Sequence, residues 1–423
     1  MKFNKSGFVR SVIVLTTGTV IAQSITYLIA PILTRIYSTE EIGDFGLYMR
    51  AIGFISALAT ARYEFSLPLP KNDSHSFLLY RLSLRIAGYI LLACGILGFI
   101  YLLTQPFNLN QVLFVFITIF SSGFLVLINL GTNWSIRKKH FKKISFTRIS
   151  NSFVSNGLRL GFGLLHMGSI GLILASLIGY IVSSLSFVKD FFQLKKFNAL
   201  LFSNKKMYVL SREYKQFPQV SLPHVVIDLG RDLLIAGLIV YFFSKDIFGS
   251  YSHSYTILRL PLVLIGTSIG QVFFNKCTVM INEGKRIDKV LEKIFATLLL
   301  ISVVPFTVIF LWGEPLFYFV FGHKWGDSGY YSEIMAIWLM LNFLISPISN
   351  IPMILHRQKE YFTLGMISTV TQLFCFGILP LVLGDTKVVF IQILWIVSIS
   401  QAIILSFIFF MTIYYARLGV KTT

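Results

Sequence analysis

The sequence is poor in the residues that build metal centres and disulfide frameworks. It contains only three cysteines and seven histidines in 423 residues. Cys94, Cys277 and Cys375 are far apart, and each lies in or beside an apolar run. This distribution gives neither zinc-ligand spacing nor a disulfide framework. We therefore predict no metal site and no disulfide-bonded domain.

Recognisable catalytic motifs are also missing. There is no Gly-rich phosphate-binding loop, no HExxH pair and no pair of aspartates in a loop, although each would mark a known chemistry. No predicted loop exceeds about 30 residues, which leaves no room for a catalytic domain outside a membrane. We therefore predict no catalytic residue, no cofactor and no direct use of ATP, and we expect that the protein is not an enzyme.

Charge is scarce as well. Only 13% of the residues are charged, whereas 55% are hydrophobic and the mean hydropathy is +0.74. A soluble protein of this size could not bury so much apolar side chain. The composition therefore predicts an all-α integral membrane protein.

The apolar runs are long enough to be counted as membrane spans, since a helix needs about 20 residues to cross a bilayer. The sequence predicts about twelve spans. Their approximate limits are 9–34, 42–62, 77–103, 111–134, 144–165, 169–188, 218–242, 247–274, 289–312, 330–355, 361–383 and 388–415.

Basic residues alternate between the predicted loops. The loops on one side, together with both termini, carry 26 lysines and arginines, whereas the loops on the other side carry four. Because positively charged loops stay in the cytoplasm, we predict cytoplasmic termini and a multi-pass protein of the bacterial inner (cytoplasmic) membrane. This placement also explains the net charge of +19 without nucleic acid as a partner.

Two pairs of segments repeat at equivalent places in the predicted topology. Residues 37–45 read YSTEEIGDF and residues 243–251 read FSKDIFGSY, which share the order aromatic, serine, acid, glycine, aromatic. Residues 137–141 read RKKHF and residues 357–361 read RQKEY. Parallel repeats of this kind are typical of transporters.

The longest predicted cytoplasmic linker, 189–217, lies between spans six and seven and is basic. With the repeats, it predicts two pseudo-symmetric six-helix lobes around a central cavity. We place the N-terminal lobe at residues 1–203 and the C-terminal lobe at residues 204–423.

Five short phrases carry a resemblance to a known family: TRIYSTEEIGDFGLY, RYEFSLPLPKN, WSIRKKHFKKIS, YKQFPQVSLP and LPLVLIGTSIGQVFFNK. In order and position the sequence resembles the O-antigen and polysaccharide flippases. These belong to the multidrug/oligosaccharidyl-lipid/polysaccharide exporter superfamily. The phrases favour the polysaccharide branch over the drug-exporter branch.

The resemblance implies a V-shaped bundle that moves a polyprenyl-pyrophosphate-linked oligosaccharide from the cytoplasmic to the periplasmic leaflet. The oligosaccharide would be an O-antigen (lipopolysaccharide) or capsular repeat unit. The implied partners are this substrate and membrane lipids, while H⁺ or Na⁺ and other polysaccharide-assembly membrane proteins stay open as partners. Two alternatives remain: a multidrug antiporter of the same fold and, less favoured, a membrane oligosaccharide polymerase.

Seven basic residues fall inside the predicted spans, and all seven are arginines. Arg50, Arg159 and Arg259 lie near mid-span, where a side chain does not reach the headgroups comfortably. Such a residue faces a wet cavity or pairs internally. We interpret the three as substrate-binding residues for an anionic group, with Arg85 at the mouth of the cavity.

The alternative for the three central arginines is an ion pair with an acid of span seven, which would tie helices together. Two other arginines, Arg81 and Arg148, lie close to the cytoplasmic ends of their spans. We expect both to reach the headgroups and to be unrelated to the substrate.

Span seven contains an unusual charged cluster in the run VVIDLGRDLLIAGLIVYFF, residues 225–243. Asp228 and Asp232 are four residues apart and share a helix face, with Arg231 three residues after Asp228. One interpretation is an ion-paired cluster that lines the cavity. The other is that an aspartate binds H⁺ or Na⁺ and couples an ion gradient to transport.

Overall fold

The computed structural model describes residues 5–194, 203–262, 286–348 and 357–418, with a few residues between 273 and 283 and residue 351. The described part is helical and contains no β-strand. The α-helices are α1 (Lys5–Ile36), α2 (Thr39–Ala59), α3 (Asp73–Leu103), α4 (Leu109–Arg137), α5 (Phe141–Leu164), α6 (Gly168–Leu194), α7 (Asn204–Glu213), α8 (Leu222–Phe242), α9 (Lys245–Leu258), α10 (Asp288–Phe321), α11 (Gly326–Ile345), α12 (Gln358–Gly377), α13 (Leu379–Leu383) and α14 (Lys387–Leu418).

Nine helical segments of the described chain are long and apolar enough to cross a membrane. Two further predicted spans, the fifth and the seventh, form helices α5 and α8, but α5 is rich in polar residues and α8 carries three charges. The eighth predicted span begins with α9 and continues into residues that lie outside the described part of the chain. The all-helical membrane architecture is confirmed, and the count of twelve stays a prediction.

Packing divides the chain into two compact units. The first consists of Met1–Tyr37 and Asp44–Leu233, and the second of Ser38–Gly43 and Leu234–Thr423. By packing, residues 204–233 belong with the first unit, because α7 lies against α3 and the Tyr63 hydroxyl donates to the carbonyl of Ser211 in α7. The division into an N-terminal lobe of residues 1–203 and a C-terminal lobe of residues 204–423 stays a prediction.

Polar side chains join α5 to α1 inside the first unit. The hydroxyl of Ser152 donates to the carbonyl of Ala22 at 2.6 Å, and the Asn156 amide donates to the Thr26 hydroxyl at 3.0 Å. A Cβ on Gly18 would lie 2.4 Å from Cβ of Ser145, so the two helices meet closely there. Small residues and hydrogen bonds of this kind hold helices together where water is absent.

The turn between α2 and α3 is fixed by Arg137, at the end of α4. Its Nε donates to Oδ1 of Asp73 at 2.9 Å, and its Nη1 donates to the carbonyl of Pro70 at 2.6 Å. Further contacts reach the carbonyls of Leu67 and Lys71, both at 3.4 Å. One planar guanidinium thus satisfies several backbone acceptors of residues 67–71, which are not helical.

In the second unit, α11 packs against α9, α10 and α14. Serines and a histidine link α9 to α11: Nδ1 of His253 and the hydroxyl of Ser254 lie 3.0 Å and 2.9 Å from the Ser328 hydroxyl. The Ser328 hydroxyl also donates to the carbonyl of Ser250 at 3.0 Å. This network fixes the register of the two helices.

The repeated segments that the sequence analysis identified meet within the second unit. Ser38 and Glu41 form a capping box at the start of α2, with reciprocal backbone contacts of 2.7 Å and 3.2 Å, as the sequence pattern favours. A Cβ on Gly43 would lie 2.5 Å from the carbonyl oxygen of Lys245, and one on Gly249 would lie 1.9 Å from that of Thr39. Glycine at both positions lets the backbones touch.

Candidate functional site

Arg159 lies on α5, and neutral groups surround its guanidinium. Its Nη1 donates to Oδ1 of Asn156 at 3.1 Å, and its Nη2 donates to the Ser176 hydroxyl at 2.9 Å. The guanidinium carbon is 4.7 Å from the centre of the Phe45 ring, which is within cation–π range. The buried Nε has no hydrogen-bond partner within the described chain.

Three tyrosines lie in the neighbourhood of Arg159. Tyr37 donates to the carbonyl of Arg159 at 2.7 Å, while Tyr48 and Tyr180 contribute to its electrostatic surroundings. No carboxylate forms a salt bridge with Arg159 among the residues that the structure describes. Its positive charge is therefore solvated by hydroxyls, an amide and an aromatic face.

Arg50 lies on α2 and is partly buried. Its Nη1 donates to the carbonyl of Gly46, one turn earlier, at 3.1 Å. This contact bends the side chain back along its own helix. Arg50 and Arg159 both belong to the first unit.

Arg259 belongs to the second unit and follows the last residue of α9. Its Nη1 contacts the Tyr255 hydroxyl at 3.2 Å, and its guanidinium carbon is 5.0 Å from the centre of the same ring. Helix α9 ends at Leu258, but helical structure resumes at Leu260 and the rest of predicted span eight lies outside the described residues, so the position of Arg259 near mid-span stays a prediction. As with Arg159, its contacts are neutral groups.

Arg85 is exposed on α3. Its Nη1 donates to Oδ1 of Asn204, the first residue of α7, at 2.9 Å. The guanidinium is therefore held at a fixed place on the surface of the first unit. The location of Arg85 at the mouth of a cavity stays a prediction.

The charged residues of α8 form one cluster in the structure. Arg231 contacts Oδ1 of Asp232 with Nη2 at 3.0 Å and with Nε at 3.2 Å. Its Nη1 is 3.9 Å from Oδ1 of Asp228. Arg231 is thus held more closely by its direct neighbour in sequence than by the residue one turn earlier.

His224 is a fourth member of this cluster, and the sequence analysis missed it. Its Nε2 is 3.6 Å from Oδ2 of Asp228. The spacing of four residues on one helix face was the available signal. Asp228 is half exposed, with a side-chain exposure of 50%, compared with 27% for Asp232, so Asp228 is the more accessible carboxylate.

A buried acid, Glu64, lies in the short 3₁₀ helix Tyr63–Ser66, outside the membrane-spanning helices. Its Oε1 lies 3.4 Å from Nη1 of Arg62, while its buried Oε2 has no hydrogen-bond partner in the described chain. Burial raises the pKa of Glu64 above its ordinary value of 4.5, and contacts with Thr60 and Arg62 offset this only in part.

No group of three or more histidines, cysteines or acids within the described residues is arranged to hold a metal ion. The three cysteines are free thiols. The candidate site therefore consists of arginines, their neutral neighbours and the α8 cluster.

Comparison with solved structures defines the class of fold. The chain is similar to an inward-facing multidrug resistance MATE family transporter of the MOP superfamily, with a TM-score of 0.70 and 14% identity over 96% of this chain and 99% of that one. It is also similar to lipid II flippase MurJ in an inward closed conformation, with a TM-score of 0.68 and 17% identity over 96% of this chain and 87% of that one. The chain therefore shares the helical fold of a MATE family transporter and of a lipid II flippase.

A family model described as "Polysaccharide biosynthesis protein" matches residues 32–329. Because this match covers more than half of the 423 residues, the chain belongs to that family. The family predicted from the five sequence phrases is confirmed. No curated protein matches the chain.

Proposed function

We propose that this protein is a flippase that carries a polyprenyl-pyrophosphate-linked oligosaccharide, an O-antigen or capsular repeat unit, from the cytoplasmic to the periplasmic leaflet by alternating access. Two findings support the substrate class. The family is one of polysaccharide biosynthesis proteins, and the fold is similar to that of a lipid II flippase. The proposed location is the bacterial inner membrane, with both termini cytoplasmic.

The observation that carries the proposal is the charge of Arg159. A cation within a membrane costs a few kcal/mol unless it is compensated, yet its partners are Asn156, Ser176 and Phe45 rather than a carboxylate. An anionic ligand would supply the missing charge. Arginine suits this purpose because its planar fork donates two bonds to phosphate and stays charged at all relevant pH values.

The second unit repeats the arrangement with Arg259, which rests on the neutral side chain of Tyr255. We assign Arg50 and Arg259, with Arg159, to pyrophosphate binding. A pyrophosphate diester carries about −2 charge, so a negative interior would assist its outward movement by ~4.6 kcal/mol per 100 mV, twice the value for one charge. Direct ATP hydrolysis is not needed.

The α8 cluster is the candidate for ion coupling. Asp228 is half exposed and is shared between His224 and Arg231, so H⁺ or Na⁺ would compete with a weak internal partner. Asp232 is held more closely by Arg231. We propose Asp228 as the coupling carboxylate and Arg231 and Asp232 as the ion pair that supports it.

The test is the movement of a polyprenyl-pyrophosphate-linked oligosaccharide across proteoliposomes that contain the purified protein. Arg159→Ala is expected to reduce the rate by at least about tenfold, and Arg159→Lys to restore part of it, because charge survives without the bidentate geometry. Arg148→Gln is the matched control, since Arg148 lies on the same helix and contacts the hydroxyl of Thr19. Normal flipping by Arg159→Ala would reject the site.

A multidrug antiporter is the second candidate, favoured by the similarity to a MATE family transporter. That function requires acids that hold cationic drugs, and the same proteoliposomes test it with a cationic dye. We expect no dye transport under an H⁺ or Na⁺ gradient. Dye transport that depends on Asp228 while the oligosaccharide stays unmoved would establish the antiporter instead.

A further inference from the structure

The first unit carries a long apolar groove between α3 and α4. Its volume is about 820 Å³, within the range of roughly 300–1,000 Å³ that is typical of ligand pockets. On α3 its lining extends from Leu84 to Leu102, and on α4 from Val115 to Leu127. At about 1.5 Å per residue the α3 stretch is roughly 27 Å long, close to the ~30 Å hydrocarbon thickness of a bilayer.

Glycines keep the groove open. A Cβ on Gly88 would meet no atom within 4 Å, and one on Gly95 would meet only Cδ1 of Ile119, at 4.0 Å. At Gly98 the two helices touch instead, because a Cβ there would lie 2.7 Å from Cγ1 of Val115. The groove therefore runs along the side of α3 that carries Gly88 and Gly95, and α3 contacts α4 directly at Gly98.

The lining is apolar along its whole length and is open to the surroundings. It contains only aliphatic and aromatic side chains, glycine and alanine. The side chains of Leu92 and Phe120 are 63% and 61% exposed. In a membrane this surface faces hydrocarbon, so a hydrocarbon chain can enter the groove from the side.

Two arginines continue the face of α3 that forms the groove. Arg85 lies three residues before Gly88, and Arg81 lies one turn before Arg85, so these positions share one helix face. The contact with Asn204 holds the exposed Arg85 guanidinium at this end. By the distribution of basic loops, this end of α3 is the one predicted to be cytoplasmic.

We propose that the α3–α4 groove binds the polyprenyl chain of the lipid-linked substrate while its pyrophosphate first contacts Arg85 and Arg81, before it reaches Arg50, Arg159 and Arg259. Arg81, which the sequence analysis expected to reach only the headgroups, is thereby assigned to the substrate. This inference rests on the proposed function and adds a site for the lipid tail to it. Arg148, which lies on α5, takes no part in this site.

Charge and length both favour this occupant over a phospholipid. Two guanidinium groups match the charge of about −2 on a pyrophosphate diester, whereas a phospholipid phosphodiester carries about −1. A groove of roughly 27 Å crosses nearly the whole hydrocarbon layer, while each acyl chain of a phospholipid reaches only about half of it. A single long isoprenoid chain fills such a channel.

The first experiment uses the full-length protein in phosphatidylcholine vesicles and a polyprenyl pyrophosphate with a photoreactive group on its isoprenoid chain. Crosslinked peptides are mapped by mass spectrometry. We expect labelling at residues 84–102 and 115–127 that unlabelled polyprenyl pyrophosphate removes and phosphatidylglycerol does not.

Groove-filling variants then test the position. Gly88→Leu and Gly95→Leu place a side chain in the open space, and leucine favours helix more than glycine does, so the fold is preserved. We expect crosslinking of the groove by the probe to fall about tenfold or more, because the leucine side chain occupies the space of the isoprenoid chain. Gly365→Leu on α12 is the matched control, because a Cβ there also meets no atom within 4 Å.

Arg85→Gln separates the headgroup from the tail. We expect weaker labelling by the polyprenyl pyrophosphate probe and unchanged labelling by the corresponding uncharged polyprenol. Equal loss of both probes would contradict a role for Arg85 at the pyrophosphate.

Three results would overturn the groove assignment. Competition by phosphatidylglycerol would assign the groove to bulk lipid, and labelling that decreases at high protein density would assign it to a second copy of the chain. Saturable labelling only outside α3 and α4 would reject the groove and leave the flippase proposal intact. Absence of saturable labelling anywhere, together with absence of flipping, would reject both.

Discussion

Arg137 and Arg159 carry the same guanidinium group but have opposite surroundings. Arg137 is satisfied by the Asp73 carboxylate and by the carbonyls of a turn, of which Pro70 is the nearest at 2.6 Å. Arg159 contacts an amide, a hydroxyl and an aromatic ring. The first arginine therefore stabilises the fold, whereas the second has neutral partners and is the one proposed to bind an anionic ligand.

Glu64 gives a prediction for the pH dependence of stability. Its pKa in the folded protein is raised above 4.5 by burial, so between these two pKa values the folded state binds more protons than the unfolded state. The contribution of Glu64 to stability is therefore fully present below pH 4.5 and is lost as the pH rises through its folded pKa. At neutral pH the buried, ionised carboxylate of Glu64 therefore destabilises the folded state.

Glu64→Gln is therefore expected to raise the thermal midpoint of the detergent-solubilised protein at pH 7 and to have little effect near pH 4, because glutamine cannot ionise. Thermal unfolding followed by tryptophan fluorescence at the two pH values measures this. A lower midpoint at pH 7 would mean that the ion pair with Arg62, at 3.4 Å, outweighs the burial of the carboxylate.

At the scale of helices, α8 shows how an apolar segment tolerates three charges. The Arg231 guanidinium lies 3.0 Å from the carboxylate of Asp232 and 3.9 Å from that of Asp228. The two aspartates are four residues apart in sequence, but the structure makes them unequal. One is a partner in an ion pair, and the other is half exposed and shared with His224.

The two aspartates are therefore expected to respond differently to substitution. Asp232→Asn should lower the amount of protein in the membrane, because loss of a close partner leaves Arg231 poorly compensated. Asp228→Asn should leave the amount near normal and change the response of flipping to an H⁺ or Na⁺ gradient. Quantitative immunoblots and proteoliposome assays measure the two effects. Identical behaviour of both variants would contradict this division of roles.

Contact between the first turns of α2 and α9 depends on glycine. We expect Gly249→Ala to destabilise the protein by about 1–3 kcal/mol, as is typical of overpacking, because its Cβ would lie 1.9 Å from the backbone oxygen of Thr39. Gly237→Ala on α8 is the control, since a Cβ there meets no atom within 4 Å. It should be neutral or stabilising by about 1 kcal/mol or less. Thermal unfolding of both variants tests this, and equal midpoints would reject the close contact.

At the scale of the whole molecule, the charge rule makes a prediction about topology. In a variant without the three native cysteines, Lys205→Cys should stay unlabelled by an impermeant thiol reagent added to intact spheroplasts, because the basic linker is predicted to be cytoplasmic. Asp385→Cys, in the exposed segment before α14, should be labelled and serves as the control. Labelling of position 205 from outside would reject the predicted orientation.

Much of the fold could be predicted from the sequence because hydropathy is a local property. Apolar runs indicated most of the membrane-spanning helices, such as α2, which begins at Thr39 where the predicted span begins at residue 42. Sequence patterns were weaker where polar residues interrupt a span. Helix α5 is the example, because Ser152 and Asn156 look unsuited to a membrane until their contacts with α1 are known.

The sequence by itself determined the class, the family and the unusual arginines of this protein, since composition, short phrases and charge are readable along the chain. Only the tertiary structure decided what each arginine touches, which aspartate is exposed, and where α3 and α4 leave a groove. The physical reason is that these features arise from the packing of side chains in three dimensions, even between helices that follow one another in the chain. Arg159 and Ser176 meet across two helices, and no local pattern specifies such a pair.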